Sequence, residues 1–300
     1  MLDYILVQAL NGLVIGVIYA VIAAGLTVIF SILKIVNFAH GEVYMIGGYF
    51  AYFAIAWLGI PPMLGIFVAM ALAFSVSVLI ERTLLTPLYD PRTERKGDYG
   101  ILATFGISIF LRNIAIIAFG PFPLRPPSFF RGSLIWGPVV MSWDRIFAAG
   151  AGAAMLVALI GFLKRSAWGQ ALNAVSQSRE SAAIVGINDR LVYTLAFGLG
   201  GALAGGAGAL VGPIYALVPS MGLVPDTQAF VIVVLGGMGS VGGSIIAGLL
   251  IGVAEGLFVA LFPDPTRSLA YAQAFSLLIM MIVLLVRPQG FFGRVHVAME

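Results

Sequence analysis

Three polar side chains of different chemistry stand close together in one apolar stretch, "IVNFAHGEVYMIGG" (35–48): Asn37, His40 and Glu42. An imidazole can act as a base, a carboxylate can bind a cation or a proton, and an amide can bind a polar group. Inside a membrane such groups are costly to bury and usually face a cavity or a partner. The stretch is therefore a candidate site, and hydrogen bonding between helices is the alternative explanation.

Helical spacing predicts how these side chains are divided between faces. In an unbroken helix Asn37, His40 and Tyr44 lie on one face, at i, i+3 and i+7, and Glu42 lies roughly opposite. A break at Gly41 would turn Glu42 toward the same side. We therefore predict an interrupted helix at Gly41, with Asn37, His40, Gly41 and Glu42 as candidate site residues.

Catalysis has little support in the sequence. His40 would need a nucleophile beside it, but no serine spacing suggests one, and neither H-E-x-x-H nor G-x-S-x-G occurs. No lysine follows a glycine, so a G-x-x-x-x-G-K-[ST] loop for ATP is absent. The chain has no cysteine, which excludes disulfides and thiolate metal sites. We expect a non-catalytic chain with no cofactor and no metal of its own.

The composition identifies the class of protein. Hydrophobic residues make up 61% and charged residues 10% of the 300 residues, whereas soluble domains have about 45–50% and about 25%. So few charges cannot cover a water-soluble surface, which predicts an all-α polytopic membrane protein in contact with lipid. The net charge of +3 gives no support for a nucleic-acid partner.

Apolar stretches between charged residues predict the crossings, because a bilayer core of ~30 Å needs about 20 apolar residues in a helix. The stretch 227–262 rises only about 54 Å as a helix, which is short for two crossings, so we predict a half-helix, a glycine break and a longer helix. Eight or nine crossings result, in one transmembrane domain of residues 1–300. The other predicted spans are 5–33, 35–58, 62–85, 99–119, 145–163, 191–213 and 269–286.

A second break is predicted in "FVIVVLGGMGSVGGSIIAG" (230–248). Its pattern matches that of the break predicted at Gly41. Aligning Gly41 with Gly239 gives an offset of 198 residues and indicates two loosely related halves. Glycine-interrupted segments at corresponding points of two halves are typical of transport sites, and tight helix packing is the alternative. Gly237, Gly239 and Ser240 therefore join the candidate translocation path. We assign "GGALAGGAGALVG" (200–212) to helix packing.

Glu255 is a further acid in an apolar span, "IGVAEGLFVA". It has no polar neighbours along the chain, so we expect it to pack against another helix, in a protonated form. A proton or ion site at Glu42 or Glu255 would instead favour a stand-alone secondary transporter or channel.

The distribution of Lys and Arg between loops predicts orientation. Eleven fall in one set of loops and four in the other, so the richer set is predicted to be cytoplasmic, with the N-terminus outside and the C-terminus inside. Arg112 falls within a span, and we expect it to extend toward the interface. The eleven are Lys34, Arg82, Arg92, Arg95, Lys96, Lys164, Arg165, Arg179, Arg190, Arg287 and Arg294.

The cytoplasmic loop 164–190 contains a predicted short amphipathic helix of small apolar residues, which Gly186 ends. Such a helix can dock in a partner's groove or lie in the headgroup plane, and composition does not separate these alternatives.

Three motifs carry a family resemblance. "NGLVIGVIYAVIAAGLTVIFSILKIVNFAHGEVYMIGGYFAY" (11–52) and "VIVVLGGMGSVGGSIIAGLLIGVAEGL" (231–257) resemble signatures of the permease subunits of branched-chain amino acid ABC importers, and "LLVRPQGFFG" (284–293) resembles their ending. The resemblance implies an inner-membrane permease for branched-chain or related hydrophobic amino acids. Related permeases carry urea, amides or other amino acids, which are the alternative cargoes.

The resemblance also implies partners: a second related permease, two cytoplasmic ATPase subunits that bind ATP, and a periplasmic binding protein. It implies that the helix at 171–187 couples to an ATPase. The sequence departs from the family at Asn173 and at Gln177–Ser178, where an arginine and an acid are usual, and matches better at "ESAAIVGI" (180–187). The candidate coupling residues are Ala174, Arg179, Glu180, Ala182, Ala183, Gly186 and Ile187.

Overall fold

The computed structural model describes residues 2–89, 93–137 and 139–293, so Arg92, Arg294 and their part in the charge count lie outside the described residues. Within these ranges the chain is almost entirely α-helical, apart from one antiparallel pair of strands. The strands are β1 (Ser133–Trp136) and β2 (Val139–Ser142). The helices are α1 (Leu2–Leu33), α2 (His40–Leu58), α3 (Pro62–Leu84), α4 (Lys96–Phe119), α5 (Trp143–Arg165), α6 (Ala167–Gln177), α7 (Arg179–Ile184), α8 (Asp189–Tyr215), α9 (Leu223–Gly236), α10 (Val241–Leu261) and α11 (Pro265–Val286).

Six helices in the described part of the chain are long and apolar enough to cross a membrane: α1, α3, α4, α5, α8 and α10. The helix α9 and the apolar part of α11 are shorter. The prediction of an all-α polytopic membrane protein is therefore confirmed.

Two helices, α1 and α8, form the centre of the molecule, and glycine allows their neighbours to approach closely. A Cβ at Gly252 of α10 would overlap the backbone of Gly16 in α1, and a Cβ at Gly208 of α8 would overlap the Tyr44 carbonyl in α2. Where no side chains intervene, backbones pack directly and gain van der Waals contact. The assignment of residues 200–212 to helix packing is confirmed.

The first interruption spans residues 34–39, so the predicted break at Gly41 is wrong. The helix α1 ends where Lys34 adopts a φ of 55°. The Asn37 side chain accepts the Ala39 N–H at 3.1 Å. The Thr104 hydroxyl of α4 accepts the Phe38 N–H at 3.2 Å. Non-helical backbone at membrane depth needs such partners because lipid offers none, and Gly41 instead falls in the first turn of α2.

The interruption carries the chain back along α1. The His40 Nε2 atom lies 3.1 Å from the carbonyl oxygen of Ile22. Ile22 precedes the end of α1 by eleven residues, or about 16 Å of helix. The helix α2 therefore starts beside the middle of α1.

The second interruption lies where the sequence predicts it, and α9 and α10 are the predicted half-helix and longer helix. Gly237 and Gly239 have φ values of 93° and 97°, which favour glycine. The Ser240 hydroxyl then caps α10 by accepting the Gly243 N–H at 3.1 Å.

The loop 164–190 holds two helices, α6 and α7, where the sequence analysis predicts one, so that prediction is wrong. Ser178 is extended and its hydroxyl accepts the Ser181 N–H at 3.2 Å, which starts a new helix. Gly186 ends the second helix with a φ of 83°, as predicted.

Candidate functional site

A cavity of about 590 Å³ runs along one face of α1. Its α1 residues recur every three or four positions from Tyr4 to Tyr19, a length of about 22 Å. The opposite walls come from α8, α9, α10 and α11. Nine larger aliphatic side chains belong to the lining: Val14, Ile15, Ile18, Val211, Ile214, Val218, Met221, Val224 and Val259.

Glu255 lies in the wall of this cavity. Its Oε1 atom accepts hydrogen bonds from Gln228 Nε2 at 2.7 Å and from Ser276 Oγ at 2.5 Å, and the Tyr19 phenol lies beside the same carboxylate. Glu255 therefore packs against other helices, as predicted, and has polar partners there. Its partners come from α9, α11 and α1, and no local pattern in the sequence shows them.

Arg145 is the basic residue of the cavity wall. It donates to the Asn11 side chain of α1, and its guanidinium carbon lies 5.9 Å from the centre of the Tyr215 ring. In the described residues it has no carboxylate within 4.0 Å. Arg145 and Glu255 therefore line the same cavity, Arg145 beside Asn11 and Glu255 beside Tyr19 of α1.

The first turns of α2 and α9 meet beside the wall of the cavity. Gly41 N–H donates to Asp226 Oδ1 at 3.0 Å, and a Cβ at Gly41 or Gly222 would overlap the other's backbone carbonyl. We call this contact of Gly41 with Gly222 and Asp226 the α2–α9 junction. Tyr44 and Pro225, a few residues from the junction, line the cavity. The junction therefore adjoins the wall of the cavity.

Glu42 forms a buried ion pair beside this junction. It is 2% exposed, and its Oε1 atom accepts from Arg112 Nε at 3.0 Å and from Ser108 Oγ at 3.1 Å. The prediction that Arg112 extends toward the interface is wrong, because its guanidinium turns inward to Glu42. A buried carboxylate needs such partners to remain charged.

The predicted path residues lie outside the cavity lining. Asn37 and His40 are each 1% exposed. The Oγ of Ser31, at the end of α1, donates to the Gly239 carbonyl at 3.4 Å, while His40 contacts the middle of α1. The second interruption therefore lies beside the end of α1, whereas His40, after the first interruption, lies beside the middle of α1. The start of α9, not its end, meets α2, and the role of the residues in the path stays a prediction.

The sequence analysis misses Asp226 as a site residue. It is an acid four residues after Gly222, at the start of an apolar segment, so the criterion applied to Glu42 would have found it.

Removing the Asp226 carboxylate is expected to weaken the α2–α9 junction. In Asp226→Ala the buried Gly41 N–H loses its acceptor, which costs about 1–3 kcal/mol. Thermal unfolding of the purified protein measures this change. Asp226→Asn keeps an accepting oxygen and is the control, and equal loss in both variants would contradict a hydrogen-bonding role.

The predicted coupling residues divide into inward and exposed groups. Ala182 is 3% exposed and packs inward. Arg179 pairs with Asp189, with 2.8 Å from Nε to Oδ2. Ala174 and Ile187 are half-buried, whereas Glu180, Ala183 and Gly186 are exposed. The sequence analysis omits the most exposed apolar side chains of the loop, Ile184 at 85% and Val185 at 74%.

A chain of ring and hydrogen-bond contacts joins this loop to α3. The Arg179 guanidinium carbon lies 5.4 Å from the centre of the Tyr193 ring, which stacks on Tyr89 at 4.6 Å. The Tyr89 hydroxyl donates to Glu81 of α3 at 2.6 Å, and Thr194 of α8 donates to the same carboxylate at 2.8 Å. Burial and the bond to Glu81 raise the pKa of the Tyr89 phenol. Through these contacts, movement of α7 would therefore also displace α3 and α8.

Comparison with known proteins supports one assignment. The family model of the branched-chain amino acid transport system permease component matches residues 8–284. The chain is 35% identical to the high-affinity branched-chain amino acid transport system permease protein BraD of Pseudomonas aeruginosa, over 97% of this chain and 96% of that protein. It is 35% identical to the corresponding LivH protein of Salmonella typhimurium and 34% identical to that of Escherichia coli, in both cases over 98% of this chain and 97% of the relative. The chain therefore belongs to this family and is a multi-pass inner-membrane permease subunit of an ABC importer.

Proposed function

We propose that this subunit carries branched-chain or related hydrophobic amino acids across the membrane by alternating access. The observation that carries the proposal is the cavity of about 590 Å³, whose aliphatic residues suit such side chains and whose wall adjoins the α2–α9 junction. The names of BraD and LivH, which specify branched-chain amino acid transport, support the same cargo. In the present conformation the junction would be the closed gate.

The proposed topology has eight or nine crossings. Six are the long apolar helices, and α2 with its extended lead-in and α11 add two more. The helix α9 with the segment before it would be the ninth crossing, which termini on opposite sides require. The N-terminus lies outside and the C-terminus in the cytoplasm, as the Lys and Arg distribution predicts. The cavity then opens toward the outer end of α1.

The proposed assembly adds a second related permease, two cytoplasmic ATP-binding subunits and a periplasmic binding protein. ATP hydrolysis would occur in the ATPase subunits. The helix α7 and the turn after it would couple to an ATPase, because their exposed apolar side chains, Ile184 and Val185, stand on a loop rich in Lys and Arg. The contacts of Arg179, Tyr193, Tyr89 and Glu81 would carry the movement to α3 and α8.

Docking of the loop is tested by Val185→Asp. Burying a new carboxylate in an apolar contact is costly, so we expect recovery of the ATPase subunits with the purified permease to fall about tenfold or more. Val140→Asp is the control, because Val140 is also exposed, at 58%, but lies on the β-hairpin. Equal recovery in both variants would count against docking at Val185.

The transport function itself is tested by uptake into proteoliposomes that contain the complete importer. We expect ATP-dependent uptake of leucine by the wild type, and absence of uptake of every branched-chain amino acid would overturn the proposed cargo.

The predicted translocation path is tested in the same assay with Asn37→Leu and Ser240→Leu. Both variants should reduce uptake strongly. Asn37→Asp keeps the oxygen that accepts the Ala39 N–H and therefore separates a role in the path from capping. Wild-type uptake by both leucine variants at normal expression would exclude these residues from the path.

A further inference from the structure

The cavity beside α1 has a charge arrangement of its own. Among its lining residues there is one carboxylate, Glu255, and one guanidinium, Arg145, and the remainder is uncharged. No Lys or Arg nitrogen in the described residues lies within 4.0 Å of Glu255. A carboxylate in an apolar wall is costly without a cationic partner. An approaching cation would therefore be favoured at this point of the cavity.

The surroundings of Glu255 orient its carboxylate. Gln228, which is 1% exposed, and Ser276, which is fully buried, both donate to Oε1. These two donors come from different helices, α9 and α11, and fix the carboxylate relative to the cavity. The Oε1 atom is thus engaged within the protein.

The shape and the charges together indicate the chemistry of the ligand. An aliphatic amino acid carries an ammonium, a carboxylate and an apolar side chain, and the cavity offers a counterpart to each. Glu255 is the counterpart of the ammonium group, Arg145 is that of the carboxylate, and the aliphatic residues are that of the side chain.

We propose that the cavity is a cargo-binding chamber in which Glu255 binds the ammonium group of a zwitterionic aliphatic amino acid and Arg145, in the same wall, attracts its carboxylate. This inference rests on the proposed import of hydrophobic amino acids, and it adds a binding site within the permease itself. Selectivity for the ammonium group would then not depend on the binding protein alone.

The test uses the absence of cysteine from the chain. Val259→Cys places a single thiol in the cavity wall, one helical turn after Glu255. In the complete purified importer, this thiol reacts with a small cationic thiosulfonate to form a mixed disulfide, with release of a sulfinate. The increase in the mass of the chain measures the labelling. Leucine and its decarboxylated analogue 3-methylbutylamine should slow labelling, whereas 4-methylpentanoate, which lacks the ammonium group, should not. Val140→Cys on the exposed hairpin is the control and should label equally with or without leucine.

A second variant tests whether the protection of the thiol depends on the Glu255 carboxylate. In Glu255→Gln the side chain keeps an oxygen that accepts from Ser276, but the concentration of 3-methylbutylamine needed for protection should rise about tenfold. Equal protection by 4-methylpentanoate and leucine, or unchanged protection in Glu255→Gln, would overturn the proposal. Protection by Na⁺ or by protons but not by leucine would also overturn it, in favour of an ion site.

The outcome is separable from that of the proposed function. Leucine uptake by the wild-type importer tests the cargo, and protection of Val259→Cys tests the chamber. Uptake without protection would leave the cargo assignment standing and remove the role of Glu255.

Discussion

Arg112→Leu is expected to lower the free energy of unfolding by about 3–5 kcal/mol, because it leaves the Glu42 carboxylate buried without its cation. Ser108 would remain as a donor to Glu42, but a hydroxyl does not balance a charge. The reduction should be visible as loss of folded protein after heating of the purified permease. It is among the largest effects expected from any single substitution in this chain.

The double variant Glu42→Met with Arg112→Leu separates the cost of an unpaired charge from the value of the pair. Apolar replacement of both partners of a buried ion pair is often neutral, so most of the stability should return. Asn113→Leu is the matched control, because Asn113 is exposed and donates to the Ile109 carbonyl of its own helix. A double variant no more stable than Arg112→Leu alone would refute the explanation.

Gly252→Ala is expected to destabilise the protein by about 3 kcal/mol or more. The added Cβ would overlap the Cα of Gly16 and lie 2.5 Å from both the Gly16 nitrogen and the Gly12 carbonyl oxygen. All these atoms belong to the backbone of α1, so the central helix itself would have to move. Thermal unfolding and the yield of folded protein measure the effect.

Gly242→Ala is the control within the same helix. A Cβ at Gly242 would meet no atom within 4 Å, and alanine is favoured over glycine in helices by about 1 kcal/mol. The two substitutions should therefore change stability in opposite directions. Equal destabilisation by both would contradict the explanation, because the close approach of α1 and α10 affects Gly252 and not Gly242.

Much of the architecture follows from local properties of the sequence. The low content of charge predicts a membrane protein, and the glycines at 237 and 239 predict the second interruption because the chain there needs positive φ values. The first interruption could not be placed in this way. It is stabilised by Asn37 and by Thr104, and Thr104 is more than sixty residues away in sequence.

The site was less predictable because its contacts join distant segments. Glu42 is found from its unusual position in an apolar stretch, but its partner Arg112 is seventy residues away. Glu255 lacks polar neighbours in sequence and acquires them only when α9 and α11 pack beside α10. The division between α6 and α7 depends on Ser178, whose hydroxyl caps a new helix and so competes with a continuous one. Composition alone does not show this competition.

The hydrogen bond between Gly41 and Asp226 has a consequence for leakage. In a dry, apolar environment an amide hydrogen bond is worth about 4–6 kcal/mol, but only about 0.5–1.5 kcal/mol when water can replace it. The α2–α9 junction should therefore resist separation while it is dry and separate readily once water reaches it. Opening and wetting would be a single cooperative event, and a resting permease would hold back water and small ions without a bulky side chain in the passage.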